Sequence, residues 1–389
     1  MQIVSPVTGQ PNVELFAKFS PCVTSDSKLS SGAAENYFCV DTGLLFNAAG
    51  PRGRETGFYQ DEYELLAEDK QSEFFHFDDG KAIALSDNMI NFIRSNVSLP
   101  TSGRMLEIGC GKGLLLHRFR TQYPEWNLSA IEPSKNAKIF FAKNMPDLAV
   151  FEGPFESSPF ANEQFDFVQT NGVLEHVPNP LDYLKRLRAC LKEGAHAFVG
   201  VPNFATNPAD LLTFDHLSRL TPNVTVDLIA MAGLEVVASA VPDSRIPMWF
   251  IVRRGAATTT ARRASLEAER AIAEQAKRFV SRSFEACDRA AKAAAADGKA
   301  LAWYGTGAIA FAATAYSSMK IPGVSAIYED NASLWGAERL GIPIRPSDEL
   351  KGANVGHLVL NANPCYFDTI RRRIHALVGD SVAVYDGAS

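Results

Sequence analysis

The chain has 389 residues, which predicts two or three domains rather than one core. Its net charge of -6 argues against nucleic acid or an anionic membrane as the main partner, and 46% hydrophobic with 21% charged residues is typical of a soluble globular protein. No apolar run has the length of a membrane span, the first residues lack a signal-peptide pattern, and the six scattered cysteines are expected to be reduced thiols of a cytoplasmic protein.

The N-terminal part, residues 1–75, is rich in turn residues and weakly periodic, which predicts a small irregular module. A helix is expected from about residue 81 to 97, because Ile83, Ile90 and Val97 recur with helical spacing.

From Arg104 to Arg254, segments with the pattern of strands alternate with segments of helical pattern. This alternation predicts βαβ units and a parallel sheet with right-handed crossovers. The predicted strands are RMLEIG, LSAIEP, AVFEG, FDFVQTN, AHAFVGV, LEVVASAV and MWFIVRR. The predicted helices are GLLLHRFRTQY, SKNAKIFFAKN, LDYLKRLRACL and VTVDLIAMAG.

An alanine-rich, charged stretch follows and predicts either one long connecting helix or a helical pair. A second, smaller α/β pattern then begins with LAWYG and ends with VAVYDG. The predicted organisation is a module at 1–75, a ligand-binding domain at 76–255, a helical linker at 256–298 and a C-terminal Rossmann-like α/β domain at 299–389.

The stretch MLEIGCGKGLLL places Gly109, Gly111 and Gly113 directly after a predicted strand. Such a turn brings bare backbone close to a ligand. The dinucleotide pattern G-x-G-x-x-G is broken because Leu114 stands at its last position, and the triphosphate pattern is absent. Glu132, at the end of the second strand, is suited to accept both hydroxyls of a ribose.

Four motifs, LEIGCGKG, AIEPS, FDFVQTNGVLEHV and DHLSRLTP…LIAMAGLEVV, together resemble the class I S-adenosylmethionine-dependent methyltransferases over about residues 80–254. The resemblance implies a Rossmann-like core with a mostly parallel seven-stranded sheet, and S-adenosylmethionine as cofactor. It implies that the glycine turn lies under the methionine part and ribose. Cys110 is expected to be a small turn residue rather than a nucleophile, because no activating base is identified near it. The cofactor-binding residues that it implies are Glu107, Gly109, Cys110, Gly111, Gly113, Glu132, Pro133, Phe155 and Asn171.

Methyl transfer requires alignment of the nucleophile with the methyl group and, for many acceptors, removal of a proton. Imidazole is the side chain that titrates near neutral pH. Two histidines follow predicted strands, His176 in EHVPNP and His216 in FDHLSRLT, with Asp215 beside the second. Each histidine has a catalytic and a structural interpretation.

The segments SPVTG and CVDTG share the outline of a zinc-ribbon knuckle, whose ligand positions here are Ser5, Thr8, Cys39 and Thr42. Structural zinc requires thiolate or imidazole at all four positions. We therefore expect no metal at this module.

The order of a knuckle module, a methyltransferase core and a smaller C-terminal α/β domain resembles the sugar C-methyltransferases, which act on nucleotide-linked deoxysugars. FYQDEYELL and WYGTGAIA add to this resemblance. It implies a base, His216 by position, that removes a proton beside a ketone; the same histidine could deprotonate a hydroxyl for O-methylation. The acceptor-side residues that it implies are Tyr59, Tyr63, Asn203, Asp215, Gly305 and Gly307, the two glycines either binding a diphosphate or closing a tight turn.

The sequence therefore predicts a methyltransferase for a small carbohydrate-type acceptor, with a nucleotide-linked sugar and C-methylation through an enolate as the specific hypothesis. Two alternatives stay open: an O- or N-methyltransferase for another metabolite or a polysaccharide end, and a non-catalytic cofactor-binding scaffold. No nucleic-acid or membrane partner is expected, and the chain is expected to be a monomer or a homodimer.

Overall fold

The computed structural model describes most of the chain, and Tyr63 lies outside the described part. The described residues are 2–26, 28–51, 57–59, 75–78, 81–134, 141, 145–242, 247–256 and 265–388.

The N-terminal region is more regular than predicted. Its strands are β1 (Val13–Phe19), β2 (Cys22–Val23), β3 (Leu29–Ser30), β4 (Ala34–Cys39) and β5 (Leu45–Asn47). The antiparallel sheet β1-β4-β5 gains a fourth strand from far along the chain, β13 (Ser218–Arg219), which pairs with β5. Because β13 begins two residues after His216, the N-terminal sheet holds the segment that carries this histidine.

A short antiparallel pair precedes the central sheet. It consists of β6 (Phe75–Asp78) and β7 (Lys81–Ala84). Helix α1 (Leu85–Asn96) therefore begins four residues later than the helical spacing predicted, because residues 81–84 pair as a strand.

The central sheet contains seven strands in the order β10-β9-β8-β11-β12-β15-β14. All pairs are parallel except those of β15 with β12 and β14. The predicted mostly parallel seven-stranded fold is therefore confirmed, while the predicted helix SKNAKIFFAKN lies mostly outside the described residues. The elements are β8 (Arg104–Ile108), α2 (Leu114–Gln122), β9 (Asn127–Ile131), β10 (Ala149–Phe151), β11 (Phe165–Asn171), α3 (Pro180–Cys190), β12 (Leu191–Val201), α4 (Pro222–Met231), β14 (Leu234–Ala240) and β15 (Met248–Arg254).

The alanine-rich stretch is one continuous helix, α5 (Leu266–Asp297), rather than a helical pair. The Ser265 side chain caps its first turn by accepting from the Ala268 amide, and Gly298, with φ of 71°, ends it in the left-handed conformation.

The C-terminal sheet has the order β18-β19-β17-β16-β20-β21. At one edge of this sheet β18 pairs antiparallel with β19, and neither segment was predicted as a strand. Its elements are β16 (Ala300–Tyr304), α6 (Ala308–Tyr316), β17 (Val324–Glu329), β18 (Glu338–Arg339), β19 (Ile342–Pro346), β20 (Val355–Leu360), α7 (Phe367–Val378) and β21 (Ala383–Tyr385).

One buried apolar cluster joins the N-terminal sheet, helix α5 and the C-terminal sheet, through residues such as Phe38, Val280 and Trp303. The loops at the carboxyl ends of the two large sheets also meet, since the Asn363 side chain donates to the Thr206 carbonyl at 2.9 Å. Among the described residues no helix combines the length and hydropathy of a membrane span.

Candidate active site

A cavity of about 400 Å³ opens where β8, β9 and β11 end, at the carboxyl edge of the central sheet. Ligands of open α/β sheets bind at this edge. The sequence-predicted residues that line the cavity are Tyr59, Glu107, Gly109, Cys110, Gly111, Glu132, Pro133, Phe155, Asn171 and His176. Three further lining residues were not predicted from the sequence: Ser86 and Met89 of α1 and Tyr183 of α3. They belong to helices whose apolar spacing indicates core packing and gives no sign of a ligand.

The glycine turn needs glycine at each of its three positions. Gly109, Gly111 and Gly113 have φ of 73°, 52° and 70°, a region that other L-residues rarely adopt. A Cβ on Gly109 would lie 2.2 Å from Val173 Cγ2, and one on Gly113 would lie 2.4 Å from the Phe141 ring. The turn is therefore shaped by backbone conformation and close packing together.

Glu132 fixes the turn from the neighbouring strand. Its Oε2 accepts from the Gly111 amide at 2.7 Å, and its Oε1 accepts from the Ser134 amide at 2.9 Å. The side chain is buried, and burial raises its pKa above the usual value. Each carboxylate oxygen can accept a second hydrogen bond, so these contacts leave room for a ligand hydroxyl.

Two buried acceptors at the cavity have no partner among the described residues: Oε2 of Glu107 and Oδ1 of Asn171. Burial raises the pKa of Glu107, which is 4% exposed, to about 8, and the charge of Glu132 adds to the effect. The bare backbone of Gly200 makes room for Asn171, because a Cβ there would lie 2.1 Å from Oδ1. Unpaired buried acceptors favour a ligand with donors or positive charge, so the site fits a cationic amino-acid cofactor.

Cys110 lies in the turn but is not set up as a nucleophile. Burial, together with the charges of Glu132 and Glu107, raises the pKa of its thiol well above the usual value. The thiolate is the reactive form, so this environment favours the inert thiol.

A cluster of two histidines and a tyrosine lies at one side of the cavity. Tyr59 Oη lies 2.7 Å from His176 Nδ1, which is also 3.0 Å from the carbonyl oxygen of Asp215. The His216 ring meets the His176 ring edge-on, with centroids 4.7 Å apart. Tyr59 and His176 line the cavity, whereas His216 contacts the His176 ring without lining the cavity itself.

The carboxylate beside the His216 ring is Asp210, not its sequence neighbour Asp215. Asp210 Oδ1 lies 2.5 Å from His216 Nδ1. The Asp215 side chain is instead fully buried and accepts from the backbone amide of Ser25 at 2.7 Å and from its hydroxyl at 2.5 Å. Asp215 therefore ties the N-terminal region to the histidine loop and does not face the cavity.

Charges around His216 alter its titration. Burial lowers the pKa of His216, but the carboxylate of Asp210 outweighs that effect and raises it to about 9. The same contact lowers the pKa of Asp210 despite its burial. Glu175 is buried nearby, and one ligand atom each from Glu175, His176 and His216 lie within 4.8 Å of one another.

The structure does not bring three other acceptor-side candidates to the cavity. The Asn203 side chain accepts from the Ala205 amide at 3.0 Å and so stabilises its own loop. Gly305 and Gly307 lie at the end of β16, where their amides donate to the carbonyls of Tyr328 and Asn361.

The two predicted knuckles are turns held by hydrogen bonds. The Ser5 hydroxyl accepts from the amides of Val7 and Thr8, each at 3.3 Å, and Thr42 Oγ1 accepts from the Leu44 amide at 3.3 Å. Cys39 is fully buried in the core that joins this region to the central sheet.

Asp210 and Glu175 are site residues that sequence reasoning missed. Asp210 lies in the short 3-10 turn Pro208–Leu212, which has no periodic sequence pattern that would predict a contact with His216. Glu175 could have been found from the EHV motif, which places it beside His176.

Comparisons with known proteins identify the central domain. A family model described as a methyltransferase domain matches residues 83–239. The ubiquinone biosynthesis O-methyltransferase of Serratia proteamaculans is 27% identical over 162 residues, which cover 39% of this chain and 59% of that protein. The bifunctional methionine biosynthesis protein MetXA/MetW of Rhodopirellula baltica is 31% identical over 114 residues, which cover 28% of this chain and 18% of that protein.

Among solved structures, that of the mitomycin 7-O-methyltransferase MmcR is 16% identical with a TM-score of 0.37, over 44% of this chain and 54% of that one. That similarity is too weak to add to the family match. The chain spans less than two thirds of the length of the curated relatives above. The family match, the sheet order and the glycine turn agree, and residues 83–239 are a methyltransferase domain of the S-adenosylmethionine-dependent class I type.

Proposed function

We propose that the whole protein is an enzyme that transfers the methyl group of S-adenosylmethionine to a small carbohydrate-type acceptor, specifically a nucleotide-linked sugar. The observation that carries the proposal is the position of the cluster of Tyr59, His176 and His216 beside a cavity with two unpaired buried acceptors. One side of the site thus fits the cofactor, and the other offers groups that move protons.

On the cofactor side, we assign the diol of the ribose to Glu132 and the amino group to Glu107, with Asn171 toward the sulfonium end. Phe155 lines the cavity and packs edge-on against Tyr183, with ring centroids 5.6 Å apart, so it offers an apolar wall for the adenine. The cofactor supplies a methyl group on a positively charged sulfur, which needs no further activation by the protein.

On the acceptor side, we assign proton transfer to His216 and His176. Because the pKa of His216 is about 9, its ring is mostly protonated at neutral pH; its neutral form, whose share grows as the pH rises toward 9, accepts the proton beside the ketone. The enolate that results would attack the methyl group in line. Tyr59 is hydrogen-bonded to His176, and we place its ring between the cofactor side and the acceptor side of the cavity.

A second candidate, O-methylation, is favoured by one observation: the relatives that cover most of the central domain are named O-methyltransferases. The same histidines would then deprotonate a hydroxyl. We therefore leave the methylated atom to the product analysis.

The test combines binding and product analysis. Purified protein saturated with S-adenosylhomocysteine is mixed in turn with uridine, thymidine, guanosine and cytidine diphosphates, and a further rise in melting temperature is expected from one of them. The corresponding sugar nucleotides are then incubated with methyl-¹³C-labelled S-adenosylmethionine, and NMR distinguishes C-methyl from O-methyl products. A further rise from none of the four, with no labelled sugar, contradicts the nucleotide-sugar proposal.

A further inference from the structure

We propose that Asp210 is the positioning residue of His216: its carboxylate accepts the proton on Nδ1, so that Nε2 is the nitrogen offered to the acceptor. This inference rests on the proposed role of His216 in proton transfer and adds the residue that prepares its ring.

The contact is close and shielded from water. Asp210 Oδ1 lies 2.5 Å from His216 Nδ1, and the Asp210 side chain is 2% exposed. A neutral imidazole has one N–H donor and one acceptor nitrogen, and a carboxylate at Nδ1 can be satisfied by the tautomer that carries its proton there. The ring nitrogen that remains free of the proton is Nε2.

The other charged groups near the ring have different partners. Asp215 is held by Ser25, and Glu175 Oε1 lies 3.9 Å from His176 Nε2. Among the described residues, Asp210 is therefore the carboxylate in contact with His216 Nδ1.

The backbone on either side of the ring is clamped as well. The buried guanidinium of Arg219 donates to the carbonyl of Thr213 at 2.8 Å and to the carbonyl of His216 itself. It also lies close enough to Asp210 and Asp215 for their charges to act on it. The loop is thus fixed from both ends, while Asp210 determines the rotation and tautomer of the ring between them.

The geometry has a chemical consequence. A histidine that must present one defined nitrogen loses efficiency when its tautomer is wrong, even where the overall structure is kept. Asp210→Asn is therefore expected to lower turnover by about 10²-fold or more, with unchanged affinity for S-adenosylhomocysteine.

The direct test needs no acceptor. Long-range ¹⁵N–¹H NMR on full-length protein with ¹⁵N-labelled histidine reports the tautomer of each imidazole, and His216→Gln assigns the signals. The protein is first dialysed against EDTA, because the cluster of Glu175, His176 and His216 has a spacing that a cation could span. The spectra are recorded above the titration midpoint of His216, where the ring is neutral, because the protonated ring carries a proton on both nitrogens. We expect the single proton of the neutral ring on Nδ1; a neutral wild-type ring whose single proton is on Nε2 overturns the inference without any variant.

Variants then sharpen the result. Asp210→Asn should lower the titration midpoint of His216 by about one pH unit or more, because a nearby negative charge is lost. Asp210→Glu retains the carboxylate, so its His216 titration midpoint should lie between those of Asp210→Asn and the wild type. Asp215→Asn is the matched control next to His216 in sequence, and its effect should be smaller; a larger effect than that of Asp210→Asn contradicts the assignment.

Two variants distinguish a failure of the catalytic role of His216 from a failure of the positioning role of Asp210. If His216→Ala leaves methyl transfer intact, the catalytic role fails while the tautomer assignment stands. If His216→Ala abolishes transfer but Asp210→Asn keeps wild-type turnover and pH profile, the positioning role of Asp210 fails.

Discussion

The central and the C-terminal sheet each contain a glycine turn with the same backbone arrangement. The two turns differ in the side chains that surround them. In each sheet the first strand along the chain ends in a glycine turn whose first amide donates at 2.8 Å to a carbonyl near the end of the neighbouring strand: Gly109 to Ile131, and Gly305 to Tyr328. The residue that follows this carbonyl in the chain is glutamate in both cases, Glu132 and Glu329.

The two glutamates are also held alike. Oε1 of Glu132 accepts from the Ser134 amide at 2.9 Å, and Oε1 of Glu329 accepts from the Asn331 amide at 3.0 Å. On the other side of each turn, the register of β11 with β8 places Asn171 opposite Gly109, and that of β20 with β16 places Asn361 opposite Gly305.

The two asparagines are used differently. Asn361 Oδ1 accepts from the Ala310 amide at 2.9 Å, its Nδ2 donates to the Gly305 carbonyl, and its own carbonyl accepts from Gly307. Asn171 lines the cavity, and its Oδ1, which lies against the backbone of Gly200, has no partner within the described chain. The C-terminal turn is thus closed by its own asparagine, whereas the central turn keeps an acceptor for a ligand.

The two turns also differ in the residue that lies two positions before the first glycine. It is the buried acid Glu107 in the central sheet and the fully buried Trp303 in the C-terminal one. A glycine turn therefore becomes a ligand site when the groups behind it are polar and unpaired, and a structural turn when they are apolar or already bonded. On this basis we favour the tight-turn alternative for Gly305 and Gly307.

The largest expected effect distinguishes the two histidines that are paired with a carboxylate, one in each region. His216→Ala should lower turnover by about two to four orders of magnitude, because proton transfer is lost, with unchanged affinity for S-adenosylhomocysteine. His357→Ala is the matched control, since His357 is also paired with a carboxylate, Asp297, at 3.1 Å but lies in the C-terminal sheet. Steady-state kinetics on both variants checks this, and equal losses would break the comparison.

The two glutamates should differ in the same way. Glu132→Ala removes a carboxylate that accepts two backbone amides at the turn, so the affinity for S-adenosylhomocysteine should fall by about 10- to 100-fold. Glu329→Ala should leave that affinity unchanged. Isothermal titration calorimetry measures both, and an unaltered affinity of the Glu132 variant would refute its place at the ribose.

Replacing the two asparagines should have opposite effects: loss of Asn361 should lower stability, and loss of Asn171 should lower cofactor affinity. Asn361→Ala leaves a buried amide unpaired and should lower the free energy of unfolding by about 1–3 kcal/mol, with normal cofactor affinity. Asn171→Ala removes an unpaired acceptor and should leave stability unchanged or raised, while cofactor affinity falls. Urea unfolding monitored by circular dichroism, paired with calorimetry, would expose the opposite pattern if the comparison is wrong.

The smallest effect concerns pH. Glu107, with its pKa raised to about 8, is protonated in the free protein at neutral pH. A cationic amino group bound beside it would favour the ionised form, so binding at pH 7 should release up to about one proton, and affinity should rise a few-fold as pH increases toward 8. Calorimetry in buffers of different ionisation enthalpy measures the release, and Glu107→Gln should abolish it.

The glycine turn and the succession of strands and helices along the chain were predictable because local signals carry them. Alternating apolar strands and helices and the glycines after RMLEI follow from short-range spacing. The pairing of β13 with β5 joins segments about 170 residues apart, and the contact of Asp210 with His216 depends on an irregular turn. Neither has a periodic signal, so the sequence analysis missed both and assigned Asp215 to the acceptor side.

In this account the central glycine turn is the cofactor site, and the C-terminal glycine turn is not. Calorimetric titration of S-adenosylhomocysteine into wild-type protein and Gly109→Ala tests it most directly, since the variant must adopt a φ of 73° and place a Cβ 2.2 Å from Val173 Cγ2. We expect one site per chain in the wild type and an affinity at least about tenfold weaker in the variant, because left-handed backbone costs about 1–2 kcal/mol before any clash. Wild-type affinity in Gly109→Ala would contradict the account.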